Sequence, residues 1–237
     1  MQNGVRSQDR RLSVWLNRTR ETVGYDLVWR IFGSAWFFLL ACLVLRDGLS
    51  GHTAAAAGMA SAGWPKMASH IGLVLFYLTM WLLILIRPAP IRRAAGILPN
   101  VWAFVGTYMP WLIALFPGHE LSDTGYIVAT SLILGGNVLA LFVICHLGRS
   151  FSFVPQARKL VTAGPYALVR HPLYLAEEVM IIGTVMLYLS PMTVVLLAVH
   201  MAVQVRRMLY EEDLLRLTFP DYADYAGHTA RIVPNIW

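Results

Sequence analysis

The chain has 237 residues, of which 57% are hydrophobic and only 14% charged, with a formal net charge of +6. Soluble domains carry roughly 25% charged residues, so this composition excludes an ordinary soluble globular protein and points to an all-α integral membrane protein. The positive surplus calls for no nucleic acid, because membrane topology and anionic lipid account for it.

Residues 1–26 read as a polar, basic cytoplasmic lead-in. Trp15, Leu16 and Val23 set against Arg11, Arg18 and Arg20 suggest a helix lying on the membrane surface. The segment is too long and polar to be the front of a cleavable signal peptide. Six apolar runs follow, at 27–45, 69–86, 101–116, 125–147, 173–189 and 191–205. Crossing the hydrocarbon core takes about 20 apolar residues. The third, fifth and sixth runs sit near or under that limit, so bilayer thinning or a tight hairpin is expected there. Residues 53–63, rich in Ala, Gly and Ser, read as a loose external loop. Pro110 predicts a kink in the third run. Ser190-Pro191 predicts a turn between the last two runs.

Seventeen of the 19 lysines and arginines fall before or at the mouth of the first run, in the even-numbered gaps, or in the tail. That alternation predicts six crossings with both termini in the cytoplasm. It divides the chain into a cytoplasmic segment at 1–26, a four-helix transmembrane part at 27–147 and a cytoplasmic catalytic part at 148–237, which contains the short helical hairpin 173–205. Cys42 and Cys145 lie in different runs, and nothing around them suggests a disulfide or a metal site. Asn137 is expected to hydrogen-bond between helices, and His146 to cap the end of its own helix.

Polar chemistry gathers after residue 147. The run Gly164-Pro165-Tyr166-Ala167-Leu168-Val169-Arg170-His171-Pro172-Leu173-Tyr174 stands at the entrance to an apolar segment that carries Glu177 and Glu178. Ionisable groups at such a place are functional candidates by default. Pro172 suits the first turn of a helix, which puts Tyr174, Glu177 and Glu178 on one face. The free amides of that turn, with Arg170 and His171, would make an anion site. The carboxylates beyond could hold a cation, and the aromatic rings a sulfonium or a base. The hairpin should return a second cluster to the same place, beginning at Arg206-Arg207 and including Glu211-Glu212, Tyr222, Tyr225 and Arg231. An anion site beside a cation site among aromatic rings suits an amino-acid-bearing nucleoside such as S-adenosylmethionine.

These motifs resemble the C-terminal half of the isoprenylcysteine carboxyl methyltransferase family, with the related phospholipid N-methyltransferases. The resemblance rests on Leu147-Gly148-Arg149-Ser150-Phe151, Leu160-Val161-Thr162, Gly164-Pro165-Tyr166, Arg170-His171-Pro172-Leu173-Tyr174, Glu211-Glu212, Phe219, Tyr222, Tyr225 and Arg231-Ile232-Val233-Pro234, and covers about residues 146–234. It implies S-adenosylmethionine as cofactor, with Tyr166, Arg170, His171, Pro172, Tyr174, Glu211 and Glu212 lining its pocket. Arg207, Glu212 and Arg231 would then act on a lipophilic or small methyl acceptor that enters from the membrane lipids. Carboxyl methylation of an isoprenylcysteine is the nearest activity. A phospholipid N-methyltransferase, a sterol-reductase-like membrane oxidoreductase and a non-enzymatic scaffold are the alternatives. The chain departs from the family pattern at Phe219-Pro220 and at Glu177 and Glu178, where small residues are common.

Overall fold

The computed structural model describes residues 24–46, 49, 64–117, 120–152 and 154–234. The expected surface helix before residue 24 and the loop at 53–63 lie outside the described residues.

Each apolar run forms helix. In chain order these are α1, Gly24–Arg46; α2, Trp64–Ile86; α3, Leu98–Tyr108; α4, Asp123–Leu147; α5, Pro172–Leu187; and α6, Pro191–Thr218. A short α7, Tyr222–His228, follows in the tail. Among the described residues, three stretches, Gly24–Arg46, Asp123–Ser150 and Pro191–Thr218, are long and apolar enough to cross a membrane. α2 is a helix of 23 residues, and α5 has 16 residues. Around Pro110 the chain does more than bend: the α-helix ends at Tyr108 and Met109–Leu115 continues as 3-10 helix. Proline has no N–H for the α-helical ladder and its ring crowds the preceding turn.

The all-α expectation has one small exception. Arg92–Arg93 (β1) and Gln156–Ala157 (β2) pair antiparallel, Arg92 opposite Ala157 and Arg93 opposite Gln156. The Ile91 N–H extends the ladder to the Ala157 carbonyl at 2.8 Å. Two loops crossing the end of a bundle carry backbone polar groups that need partners, and here they satisfy each other. The ladder ties the segment after α2 to the segment after α4.

A second lock lies beside it. The Asp26 carboxylate, buried in the first turn of α1, meets Arg30 at 2.9 Å, Arg87 at 2.9 Å and Arg158 at 2.5 Å. The same arginines close the C-terminal end of α2, whose last carbonyls lack helical partners. Arg30 donates to the carbonyls of Leu85 and Arg87, Arg158 to that of Pro88, and Arg149 to that of Ile86. Burial, with Arg87 adding to it, lowers Arg158 to about 10, and Asp26 opposes the shift. Sequence periodicity gave no sign of the full cluster, because Arg87 and Arg158 lie 61 and 132 residues from Asp26.

The most extensive helix pair is α4 with α5. A Cβ at Gly136 would stand 2.5 Å from Met180 Cγ, and one at Gly183 would stand 2.7 Å from the Ala129 carbonyl oxygen. Without a side chain at either point the two backbones approach closely, the usual way apolar helices associate in lipid. Asn137 does not bridge helices as expected. Its amide donates to the Ile133 carbonyl of its own helix at 2.9 Å.

The final hairpin turns at Ser190-Pro191 as predicted. The Ser190 side chain accepts from the Thr193 N–H while the Thr193 side chain accepts from the Ser190 N–H, a reciprocal cap that starts α6. At 28 residues, α6 is about 42 Å long, more than a hydrocarbon core needs. Its charged last turns therefore run on to meet the loop before α5. Replacing Gly183 by Leu should force α4 and α5 apart and destabilise the fold by about 1–3 kcal/mol or more. A thermal melt of the detergent-solubilised protein checks this, and an unchanged midpoint would contradict the close-packed α4/α5 contact.

Candidate functional site

Glu212 of α6 is fully buried. A carboxylate withdrawn from water needs cations and hydrogen bonds close by, and the two polar clusters supply them. His171 Nε2 lies 3.2 Å from Oε1 and Arg170 Nε 3.3 Å from it. Arg231 forks over both oxygens, Nε to Oε1 at 3.0 Å and Nη2 to Oε2 at 3.2 Å. Arg216, one turn on in α6, reaches Oε2 at 3.3 Å. The backbone repeats the joint: the Arg170 and His171 N–H groups donate to the carbonyls of Ala230 and Arg231 at 2.8 and 3.0 Å. The tail, the loop before α5 and the end of α6 therefore meet at one carboxylate.

Above this joint opens a cleft enclosing about 1180 Å³, counting the part open to solvent. Of the residues expected to bind a cofactor, Tyr166, Arg170, His171, Tyr174 and Glu211 line it. Pro172 and Glu212 do not: Pro172 is buried in the first turn of α5, and Glu212 stands behind Arg170 and His171. Of the residues expected near the acceptor, Arg207 lines the cleft, while Arg231 has turned away onto Glu212. A desolvated carboxylate is the stronger claim on its planar fork. Arg170 and His171 likewise do not form an open anion site with free amides. Both side chains face Glu212, and Arg170 Nη1 also donates to the Ala226 carbonyl at 2.8 Å.

The shared face of α5 also divides. Glu177 lines the cleft, where Gln204 Nε2 donates to its Oε2 at 2.7 Å and Arg207 Nη1 stands 3.9 Å away. Glu178 is instead turned to α6, 2.9 Å from His200 Nδ1, while His200 Nε2 lies 2.9 Å from the Gly106 carbonyl of α3. Gly106 has a second duty: a Cβ there would stand 2.6 Å from Arg207 Cδ. The bare backbone of α3 is what leaves room for Arg207. That arginine donates to Gln204 Oε1 at 2.7 Å and lies over the Tyr174 ring, 4.9 Å from its centroid. The Tyr174 hydroxyl donates to Glu211 Oε1 at 2.5 Å.

The remaining tyrosines frame the opening. Tyr225 donates to the Tyr166 carbonyl at 2.6 Å, and its ring meets that of Tyr222 near edge-on. Burial pushes the Tyr166 phenol well up, and the charge of Glu211 adds to the shift. Burial also raises Tyr222, with Glu212 adding and Arg170 opposing. Tyr225 is pushed up to about 12 by burial, against Arg170. All three remain neutral hydroxyls in ordinary buffers. His146 caps its own helix as expected, its Nδ1 2.8 Å from the Phe142 carbonyl. Sequence reasoning missed Gln204, His200 and Gly106. The first two sit mid-run in α6, and their spacing of four residues was the available signal. Cys42 and Cys145 are free, and among the described residues no group of three or more His, Cys, Asp or Glu side chains is placed to hold a metal ion.

Residues 124–221 match the phospholipid methyltransferase family. Over 139 residues, 58% of this chain, the sequence is 31% identical to the nickel-cobalt-cadmium resistance protein NccN of Alcaligenes xylosoxydans xylosoxydans, covering 64% of that protein. It is 30% identical to the cobalt-zinc-cadmium resistance protein CzcN of Cupriavidus metallidurans, over 58% of this chain and 63% of that protein. It is also 32% identical over 131 residues to a probable protein-S-isoprenylcysteine O-methyltransferase of Oryza sativa subsp. indica, over 52% of this chain and 68% of that protein. The chain thus spans a little under two thirds of the length of the two resistance proteins. It belongs to the isoprenylcysteine methyltransferase-like family, to which the phospholipid methyltransferases are related.

Glu212→Gln should destabilise the protein by about 3–5 kcal/mol, because it leaves buried cations without their counter-charge. Arg216→Gln should cost less than about 1 kcal/mol, since that side chain is 46% exposed. Thermal unfolding of the two variants in parallel checks the contrast, and equal losses would contradict it.

Proposed function

We propose that the chain is a membrane methyltransferase that takes its methyl group from S-adenosylmethionine and passes it to a lipophilic acceptor. The observation that carries this reading is the cleft of one family-matched segment that sets cations, carboxylates and tyrosine rings side by side. The chemistry of that donor set fits the cofactor. Glu211 and Glu177 suit its ammonium and sulfonium. Arg170 and His171 line the cleft braced on Glu212, so they stand as its wall and not as a free site for the cofactor's carboxylate. Tyr166, Tyr222 and Tyr225 offer ring faces to the base. When bound, the cofactor supplies an electrophilic methyl on sulfur.

The chain's own residues then have separate duties. Glu212 positions rather than touches: it fixes Arg170 and His171 at the cleft wall and anchors the tail through Arg231. Tyr174 holds Glu211 by its hydroxyl and carries Arg207 on its ring. Arg207 is buried, and its Nε has no acceptor among the described residues. It is the group best placed to hold an acceptor carboxylate or phosphate, and a carboxylate acceptor needs no strong base. Closing the cleft around both reactants would align them and exclude water. The names of the rice and other plant relatives favour an isoprenylcysteine carboxylate as the acceptor, and the phospholipid methyltransferase match keeps a lipid amine as the second reading.

The basic-residue alternation supports six crossings with both termini cytoplasmic, the shorter helices α3 and α5 spanning with the help of thinning or tilt. The division into a transmembrane part at 27–147 and a catalytic part at 148–237 belongs to the same proposal. So does entry of the acceptor from the bilayer, given how close the cleft is to the apolar hairpin.

Membranes containing the chain, incubated with methyl-labelled S-adenosylmethionine and lipid extract, should yield a labelled lipophilic product whose mass identifies the acceptor. Absence of any labelled product, with no cofactor bound, would overturn the reading. Glu211→Gln should weaken cofactor binding about tenfold or more through loss of a charge-assisted contact, read by calorimetry. Gly106→Ala should displace Arg207 and raise the acceptor KM by a larger factor than it weakens cofactor binding, which it reaches only indirectly through the shared Tyr174 and Gln204.

A further inference from the structure

A shallow groove runs along the lipid-facing side of α1 and α2. Ile31, Ala35 and Phe38 form one bank on α1, Trp81 and Leu85 the other on α2, and Arg30 stands at its end. On α1 these residues repeat at intervals of about four, so the bank is a continuous stripe about 12 Å long. It is openly apolar: Ile31 is 63% exposed and Phe38 47%.

The Arg30 end is strongly positive. Arg30, Arg87, Arg149 and Arg158 gather at the C-terminal end of α2, and Asp26 is the carboxylate that pairs with three of them. The helix end itself contributes only about half a negative charge. Arg87 Nε and Nη1 and Arg158 Nη1 are buried and have no acceptor among the described residues. Arg87 and Arg158 have no accessible side-chain surface, whereas Arg30 keeps 25% of its own. Arg30 is also held still, by Asp26 and the carbonyls of Leu85 and Arg87. The cluster therefore presents its excess charge to the outside through Arg30 and the exposed Arg149, and of these two it is Arg30 that stands in the groove.

We propose that this groove binds one anionic phospholipid, its headgroup phosphate on Arg30 and an acyl chain between α1 and α2. An amphiphile is required because the charge and the apolar stripe are continuous. A zwitterionic lipid is disfavoured because its own cation would be brought up against the arginines. The site is separate from the methyl-transfer cleft, although Arg158 belongs to the cluster and also lines the cleft.

The test uses the full chain in nanodiscs of equal parts phosphatidylglycerol and phosphatidylcholine, with the lipid retained on the protein counted by native mass spectrometry. The wild type should retain phosphatidylglycerol in preference by about fivefold, the effect of one arginine at a membrane surface. Arg30→Gln should lose the preference. Ala35→Trp, which fills the groove and leaves every charge in place, should lose it too and keeps the test intact if the first variant does not fold. Inorganic phosphate should not displace the lipid. Equal retention of both lipids by the wild type, an undiminished preference in folded Ala35→Trp, or displacement by inorganic phosphate alone would each overturn the proposal. None of these readouts depends on methyl transfer, so failure here leaves the catalytic reading standing.

Discussion

One buried carboxylate organises the C-terminal part of this protein. Glu212 has no access to water, and a lone carboxylate there would be prohibitively costly. It is stable only when Arg170 and His171 arrive from the loop before α5, Arg231 from the tail and Arg216 from its own helix. The requirement works in both directions. The cations would repel one another without the carboxylate, so the three segments are held in register by a demand that none of them could meet alone.

The polar groups of the hairpin follow the same economy. A cleft beside an apolar helix pair cannot leave charged side chains loose, and each one here has a neighbour that limits its freedom. Glu211 takes the Tyr174 hydroxyl, Glu177 takes the Gln204 amide, and Arg207 bonds Gln204 while lying on Tyr174. α3 contributes a bare backbone at Gly106, accepting from His200 on one side and making space for Arg207 on the other. Helices that carry no functional side chain of their own thereby fix the geometry of the cleft. At the far end of α2, Asp26 and its arginines do for the β1–β2 loops what Glu212 does for the tail.

Much of this was legible in the residues. Apolar length located α1 to α6 but not the short α7 of the tail, Ser190-Pro191 marked the last turn of the hairpin, and the hairpin geometry brought Arg170-His171 to Glu211-Glu212. What was not legible has a common physical cause. Helical periodicity says which residues share a face but not which neighbour claims each of them. Glu177 and Glu178 were expected to act together, yet one faces the cleft and the other His200, because α6 offers each a different partner, Gln204 to the first and His200 to the second. Arg231 was expected at the acceptor, but the desolvated Glu212 outbids any open site for its fork. Spacing could offer Asp26 only Arg30, one turn on in α1; Arg87 and Arg158 reach it from the end of α2 and from the loop after α4. The short β1–β2 ladder was hidden for the same reason: two residues of strand leave no period.

The central claim is that the cleft above Glu212 is a binding site for a sulfonium nucleoside. It is tested most directly by calorimetric titration of the purified chain with S-adenosylhomocysteine, the product form, which requires no acceptor. The account predicts saturable binding of one molecule per chain, and a clear loss of affinity in folded Tyr166→Ala, which removes a ring from the cleft without touching the Glu212 joint. No binding by the folded wild type, or unchanged affinity in that variant, would contradict it.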